Sequence, residues 1–303
     1  MGTRGASGRG CQRRRLFPER RPAAQTAARG AKGHAAAGAR DAARSGYRAR
    51  TKSGVNDVDA VRRRLAEATS VCVLTGSGIS SESGLPTFRG ANGLWRTHRV
   101  EELASAAGFE RDPVLVWTWY DERRAAHRNA KPSAGHFALA ELEKYYADFT
   151  LATQNVDSLH RRAGSRNVLE LHGSLREARC NRCDVRTALD GAFAGRAIDH
   201  GCGGKFRPDI VWFGESLPAG IFERALAAAR RADVVLVVGT SGLVNPAASL
   251  ATRAPRPGAL VVEINPEETV VSERADIVLR GTASAFLPQL VRNRGPDERV
   301  VAG

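Results

Sequence analysis

The run Gly76-Ser77-Gly78-Ile79-Ser80-Ser81 directly follows the β-type stretch Val71-Cys72-Val73-Leu74-Thr75. A strand that ends in Gly-x-Gly lets backbone N–H groups come close to a phosphate, because no Cβ stands between them. The small hydroxyl residues that follow can cap a helix or bind a phosphate oxygen. Pro86, Phe88 and Arg89 then add a rigid bend, an aromatic face and a fixed cation. Gly84 comes too late for the dinucleotide fingerprint Gly-x-Gly-x-x-Gly, so a loop rather than a long helix is expected after the cradle.

Other residues carry chemistry further along the chain. Gln154-Asn155-Val156-Asp157 closes an apolar run. Its amide and carboxylate groups, two positions apart, can face one pocket or close an Asx-turn. His172 follows the next apolar run and is placed to act as a general base near neutral pH, although a lone histidine is often a structural hydrogen-bonder. Tyr120 and Arg123, three apart in a helical stretch, share a face. Together a phenol and a guanidinium could grip a carboxylate; the alternative is a solvated Arg-rich face. Cys180 and Cys183 have the spacing of half a tetrahedral zinc site, with Cys202 downstream.

These groups need elements to hold them. Helices are expected over 56–69 (capped by Asn56 or Asp57), over two regions at 99–128 and 133–147 (the second capped by Ser133), and over 220–231 and 283–293. Strands are expected over 71–75, 149–153, 168–171, 234–238 and 260–264, with a short edge at 277–279. Continuous β-branched runs alternating with helices predict an α/β, Rossmann-like parallel sheet with helices on both faces. Residues 174–207 break that rhythm, hold the cysteine cluster and read as a small inserted module. In an open α/β sheet the ligand sits beyond the carboxyl ends of the strands. Gly76, Gln154, His172, Gly239-Thr240-Ser241 and Asn265 are therefore expected around one crevice.

Composition divides the chain. Of its 46 Lys and Arg, 14 fall in residues 1–54, against two of its 32 acidic residues, so this segment carries +12 of the net +14 and the rest only +2. The body is thus nearly neutral and a poor nucleic-acid surface. Residues 1–54 are rich in Ala, Arg and Gly and read as a basic disordered tail or a misassigned start, with a transit peptide or nucleic-acid contact as further options. Residues 55–293 form the expected catalytic domain and 294–303 a C-terminal tail. No run of about 18 apolar residues occurs, so no membrane span is expected. Cys72 reads as a small core residue and the clustered cysteines as metal ligands rather than disulfides, in a cytoplasmic, monomeric protein.

Six ordered motifs carry a resemblance. Gly76–Arg89, Gln154–Asp157, Leu171-His172-Gly173, Arg207–Glu215, Gly239-Thr240-Ser241 and Glu263-Ile264-Asn265 resemble the sirtuins, NAD-dependent protein-lysine deacylases, over about residues 57–292. The resemblance implies a pyrophosphate and ribose site at Gly76, Ser77, Gly78, Ile79 and Ser80, and a cofactor loop with Phe88, Arg89 and Trp95. It implies a nicotinamide end at Gln154, Asn155, Val156 and Asp157, and phosphate or ribose contacts at Gly239, Thr240 and Ser241. Asn265 and Ala283 would serve the adenosine half, and His172 would be the base. In the family's reaction the acyl-lysine oxygen attacks the ribose C1′ and nicotinamide leaves. The histidine then deprotonates a ribose hydroxyl, and the products are free lysine and O-acyl-ADP-ribose. The substrate protein would add as a strand between Val211-Trp212-Phe213-Gly214-Glu215 and the edge Leu243-Val244-Asn245-Pro246-Ala247, with Val244 in contact.

The pair Tyr120 and Arg123 is similar to the desuccinylase and demalonylase type, which implies acidic acyl groups. The family also implies a structural zinc on two Cys-x-x-Cys pairs. Here Asp199 stands where the third cysteine is expected, so Cys180, Cys183, Cys202 and Asp199 form the expected set. His200 is an equally competent donor, and loss of the metal is the alternative. Ser77, Ser158 and Asn245 also depart from the usual Ala, Gly and aromatic residue.

Overall fold

A computed structural model describes residues 55–88, 99–189, 191 and 198–292. The expectations for residues 1–54, Arg89, Trp95 and 294–303 lie outside the described residues. The chain opens with α1 (Val55–Glu67), β1 (Ser70–Thr75) and the short α2 (Gly78–Ser81). Next come α3 (Val100–Leu103), α4 (Ala106–Arg111), α5 (Pro113–Asn129) and α6 (Ala134–Glu143). The segments β2 (Asp148–Thr153), α7 (Leu159–Arg162) and β3 (Val168–Glu170) lead into β4 (Gly173–Cys180), β5 (Arg186–Ala188), β6 (Ile198–Asp199) and β7 (Lys205–Ile210). The chain closes with α8 (Ile221–Arg231), β8 (Val234–Val238), α9 (Ser249–Thr252), β9 (Leu260–Ile264), β10 (Ile277–Leu279) and α10 (Ala283–Val291).

Six strands form one parallel sheet in the order β10-β9-β8-β1-β2-β3. The period-2 alternation of each strand sorts its side chains to two faces. Val71, Val73, Leu151, Leu236 and Val262 pack with Val61 and Leu65 of α1, Leu139 of α6 and Leu287 of α10. Cys72, Leu74, Ala152, Val235 and Val237 face the opposite way, against Ala225, Ala228 and Ala229 of α8 and Leu250 of α9. Cys72 is thus the small core residue its apolar setting predicts, and burial pushes its thiol up to about 12. The expected doubly covered parallel sheet is present, with its order reversing between β1 and β8.

Two details differ from the sequence expectation. The region 99–128 is three helices, not one. Ser105 accepts from Gly108 N–H to start α4, and Asp112 accepts from Leu115 N–H, with Pro113 in the first turn, to start α5. Local capping outweighs the continuous apolar pattern there. The inserted module is a second, antiparallel sheet in the order β5-β4-β7-β6, and it begins at Gly173, immediately after the candidate base. A Cβ on Gly173 would lie 2.0 Å from the Asp209 carbonyl oxygen, and its φ is +81°, so only glycine fits this seam. A third apolar cluster, with Phe109, Val116, Trp117, Tyr120, Leu175 and Trp212, joins α4 and α5 to the small sheet.

Candidate active site

The polar residues expected at the strand ends do converge. They line a cavity of about 1070 Å³ at the carboxyl ends of β1, β2, β8 and β9, spanning the switch between β1 and β8. Its wall includes Gly76, Ser77, Gly78, Phe88, Gln154, Asn155, Val156, His172, Gly239, Thr240, Ser241, Asn265 and Ala283. Tyr120, Arg123, Val211, Phe213, Gly214, Glu215 and Val244 complete its other side. Ile79, Ser80 and Asp157 are buried and stand behind this wall.

The cradle is a crossing of backbones. Gly76 N–H donates to Val238 O at 3.0 Å, and Gly78 N–H to Gly239 O at 2.8 Å. A Cβ on Gly76 or Gly78 would come within 2.8 Å of Gly239 backbone atoms, so the close approach requires bare backbone on both sides. Gln154 Nε2 donates to Thr240 Oγ1 at 2.8 Å, tying the two halves of the sheet together over the switch.

Behind the cradle lies a closed polar group. Asn155 Nδ2 donates to Gly76 O at 3.0 Å and to Ser80 Oγ at 3.1 Å. Ser80 Oγ donates to Asp157 Oδ2 at 2.7 Å, and Leu159 N–H donates to Asp157 Oδ1 at 2.8 Å. Burial raises the Asp157 carboxyl, and these two bonds, with the more distant Arg123 and Arg162, oppose it. Ser158, the next residue, sits at φ 60° and ψ 17°, a left-handed conformation that suits the glycine it replaces, and its Oγ donates to Glu170 Oε1 at 3.3 Å.

His172 is half-buried at the seam between the sheets. Its Nδ1 lies 3.1 Å from Gln154 O. A carbonyl oxygen only accepts, so Nδ1 carries the proton and Nε2 keeps its lone pair. Burial lowers the imidazole's pKa and the bond to Gln154 partly restores it, leaving a neutral ring at neutral pH. The arrangement has the elements of a general base: a defined tautomer, a free lone pair and a place on the cavity wall.

Two adjacent arginines on α5 have opposite fates. Arg124 is buried, pairs with Asp121 at 2.7 Å, and donates to Leu175 O, Leu189 O and Gly191 O. Arg123 faces the cavity with its Cζ over the rings of Trp119 at 4.5 Å, Phe88 at 4.9 Å and Tyr120 at 5.8 Å. Aromatic faces attract a cation but accept no conventional N–H bond. Arg123 makes no ion pair and no side-chain hydrogen bond among the described residues. Burial pulls its pKa down, against the pull of Tyr120 and Asp157.

Two site residues have side chains already engaged. Asn265 Nδ2 donates to Thr240 O at 3.0 Å, while its Oδ1 accepts from Glu267 N–H at 3.2 Å, so it braces the loop after β9 as well as lining the cavity. Glu215 accepts from Arg207, from Arg179 at 3.1 Å and from Trp212 N–H at 2.9 Å. Burial works against the Glu215 charge, yet these donors hold its carboxyl below the usual range. Sequence spacing missed Leu217, Glu268, Thr269 and Val270, which also line the cavity.

The metal-ligand set needs a correction. Cys180, Cys183, His200 and Cys202 bring one donor atom each within 4.8 Å of one another. Sγ of Cys180 and Cys202 are 3.5 Å apart, and His200 Nδ1 is 3.1 Å from Cys202 Sγ and 3.4 Å from Cys183 Sγ. Asp199 is not in the cluster. It belongs to β6, and its carboxylate pairs outward with Lys205 at 2.5 Å, whereas His200 follows the strand and turns inward. Three thiols and one imidazole at these separations are the corners of a tetrahedral zinc site, so the residues fit the metal.

Comparison with known proteins agrees with this geometry. A family model described as the Sir2 family matches residues 76–246. NAD-dependent protein deacylase 2 of Pyrobaculum aerophilum is 50% identical over 228 residues, covering 75% of this chain and 92% of that protein. A solved Sir2 homolog–NAD complex is 46% identical with a TM-score of 0.73, covering 77% of this chain and 92% of that one. A mutant Sir2 homologue–ADP ribose complex gives a TM-score of 0.74 at 45% identity, covering 77% and 95%. The chain belongs to the Sir2 family, the sirtuins. No helix among the described residues is long and apolar enough to cross a membrane.

Proposed function

We propose that this protein is an NAD-dependent protein-lysine deacylase that favours acyl groups ending in a carboxylate, succinyl and malonyl above acetyl. NAD dependence is supported by the Gly-x-Gly cradle at a sheet switch point and by the deacylase names of its relatives. The acidic preference is carried by one observation: the Arg123 guanidinium stands at the cavity wall beside Tyr120 with no acceptor of its own among the described residues. Ring faces hold this half-buried cation but leave its N–H groups without an acceptor among the described residues, which is costly, and a site of this kind suits an anion. A succinyl or malonyl carboxylate could take the guanidinium fork and the Tyr120 hydroxyl together, whereas an acetyl methyl offers nothing to either.

NAD, as co-substrate, supplies an activated glycosidic bond at the nicotinamide ribose. Gly76, Gly78, Gly239, Thr240 and Ser241 would hold its phosphates and ribose, Gln154 and Asn155 its nicotinamide end, and Asn265 and Ala283 its adenosine end. Ser80 and Asp157 would act from behind by fixing Asn155. His172 would take a ribose hydroxyl proton at Nε2, the nitrogen its bond to Gln154 leaves basic. The substrate main chain would lie between Val211–Glu215 and Val244. Cys180, Cys183, His200 and Cys202 would hold a zinc ion whose role is to fix the small sheet.

The test is one peptide carrying acetyl-, malonyl- or succinyl-lysine, incubated with and without NAD and read by mass spectrometry. Turnover should need NAD and run with a higher kcat/KM on the acidic acyl groups. Arg123→Met should lower kcat/KM for succinyl-lysine by roughly ten- to a hundredfold, the worth of a charge-assisted hydrogen bond, and acetyl-lysine far less. An equal loss on both substrates would sink the assignment.

A further inference from the structure

We infer that Trp212 is a positioning residue that orients the Tyr120 hydroxyl toward the acyl group and so sets selectivity. The inference rests on the acidic-acyl reading above and concerns how that site is polarised. Trp212 Nε1 lies 2.9 Å from Tyr120 Oη. An indole N–H can only donate, so Oη is the acceptor in this bond. The phenol's own proton must then point elsewhere, and no acceptor among the described residues takes it. Tyr120 is 1% exposed yet lines the cavity, so that proton is available to the cavity alone. A phenol without this partner could equally turn a lone pair inward, which would repel a carboxylate.

The indole is itself fixed from the side of the small sheet. Arg207 Cζ stands 3.2 Å over the Trp212 ring centroid. Arg207 pairs with Glu215 and donates to Ile210 O at 2.5 Å, while the Glu215 carboxylate also accepts the backbone N–H of Trp212. Phe109 packs on the same ring at 5.5 Å between centroids. On the other side Trp119 meets Tyr120 edge-on at 4.7 Å, so the phenol ring has little room to follow a displaced partner. Burial raises the Tyr120 pKa, which keeps the hydroxyl protonated and able to donate.

The test compares the succinyl-to-acetyl ratio of kcat/KM in the full-length protein for Trp212→Phe, Tyr120→Phe and the double variant. Trp212→Phe keeps an aromatic ring and deletes the N–H. It should lower the ratio about fivefold, chiefly through KM for succinyl-lysine, the effect of one ordinary hydrogen bond. Tyr120→Phe should lower it about tenfold, and the double variant no further, because the indole acts only through the phenol. Additive losses, or a normal ratio in Trp212→Phe beside a reduced one in Tyr120→Phe, would overturn the inference while leaving the acidic-acyl reading intact. Unchanged ratios in both Tyr120→Phe and Arg123→Met would overturn that reading and the inference with it. Should Trp212→Phe fold poorly, benzothienylalanine at position 212 (the sulfur isostere of tryptophan, lacking the N–H) gives the same comparison at full ring volume.

Discussion

The two ends of the six-stranded sheet are built on opposite plans. At the amino end, polar groups bond inward and close the sheet. Asp233 Oδ2 accepts from Thr69 N–H, Thr69 Oγ1, Ser70 N–H and Ser70 Oγ between 2.8 and 3.1 Å, and its other oxygen takes Arg256. Arg231 grips Asp148 with two bonds at 2.5 and 2.7 Å, and Asp276 accepts Val261 N–H at 2.8 Å. At the carboxyl end, His172 Nε2, the Tyr120 proton and the Arg123 fork are left facing space. One end uses its polarity to hold strands together; the other, beside ties such as Gln154 to Thr240 and Asn155 to Gly76, keeps a few groups for a ligand. The contrast teaches where a substitution should register, as lost stability or as lost turnover.

The sharpest way to break that contrast is His172→Ala. Removing the proposed general base should lower deacylation by roughly a hundred- to ten-thousandfold. The melting temperature should stay close to wild type, because the ring makes one hydrogen bond and is half-buried. A large fall in melting temperature with turnover preserved would reverse the assignment of the two ends.

A smaller effect is expected from the cysteine module, which belongs to neither plan. Its strand β5 is exposed throughout, and the sheet leans on ion pairs such as Arg186 with Asp209 at 2.8 Å. Cys180→Ser should reduce zinc, measured by elemental analysis, below about half an equivalent per chain, since three donors rarely hold a structural zinc alone. Protease cleavage within 173–210 should rise, and turnover should fall less than in His172→Ala. His200→Ala should behave like Cys180→Ser, and Asp199→Ala like wild type.

The smallest effect tests the closed end. The Thr69 N–H bond, first among several, holds the Asp233 carboxyl well below the ordinary carboxylate range. A depressed folded-state pKa contributes stability that is present above the unfolded value and lost as pH falls toward the folded one. Asp233→Asn should therefore destabilise the protein by about 1–2 kcal/mol at neutral pH, in proportion to the hydrogen bonds weakened. The gap between the denaturation midpoints of the two proteins should begin to narrow as pH falls below about 4, the ordinary carboxylate range, and go on narrowing toward the depressed folded-state value. A gap that widens on acidification would contradict this, and kcat should change little at any pH.

Legibility in the sequence follows the same division. Apolar period and strand-end chemistry located the sheet and the strand-end residues Gly76, Gln154, His172, Gly239, Thr240, Ser241 and Asn265 of the cavity wall, because those signals are local. What sequence spacing could not show was which polar side chains are already taken. Asn265 and Glu215 read as free ligand groups, yet Asn265 holds Thr240 O, 25 residues away, and Glu215 takes Arg207 and Arg179, 8 and 36 residues away. Asp199 matched the expected metal position by count, but strand direction turned it outward and brought in the next residue. Arg123 and Arg124 look equivalent in sequence; only the third dimension gives Arg124 a carboxylate and sets Arg123 over aromatic rings at the cavity wall.

The seam at Gly173 has a mechanical consequence. Val211 N–H donates to His172 O at 2.9 Å, so the backbone of the imidazole residue is latched to the strand that leaves the small sheet, one position before a site where no side chain can stand. The ring's backbone is therefore held between β3 of the large sheet and β4 of the small one, and a tilt of the smaller sheet would carry the imidazole with it.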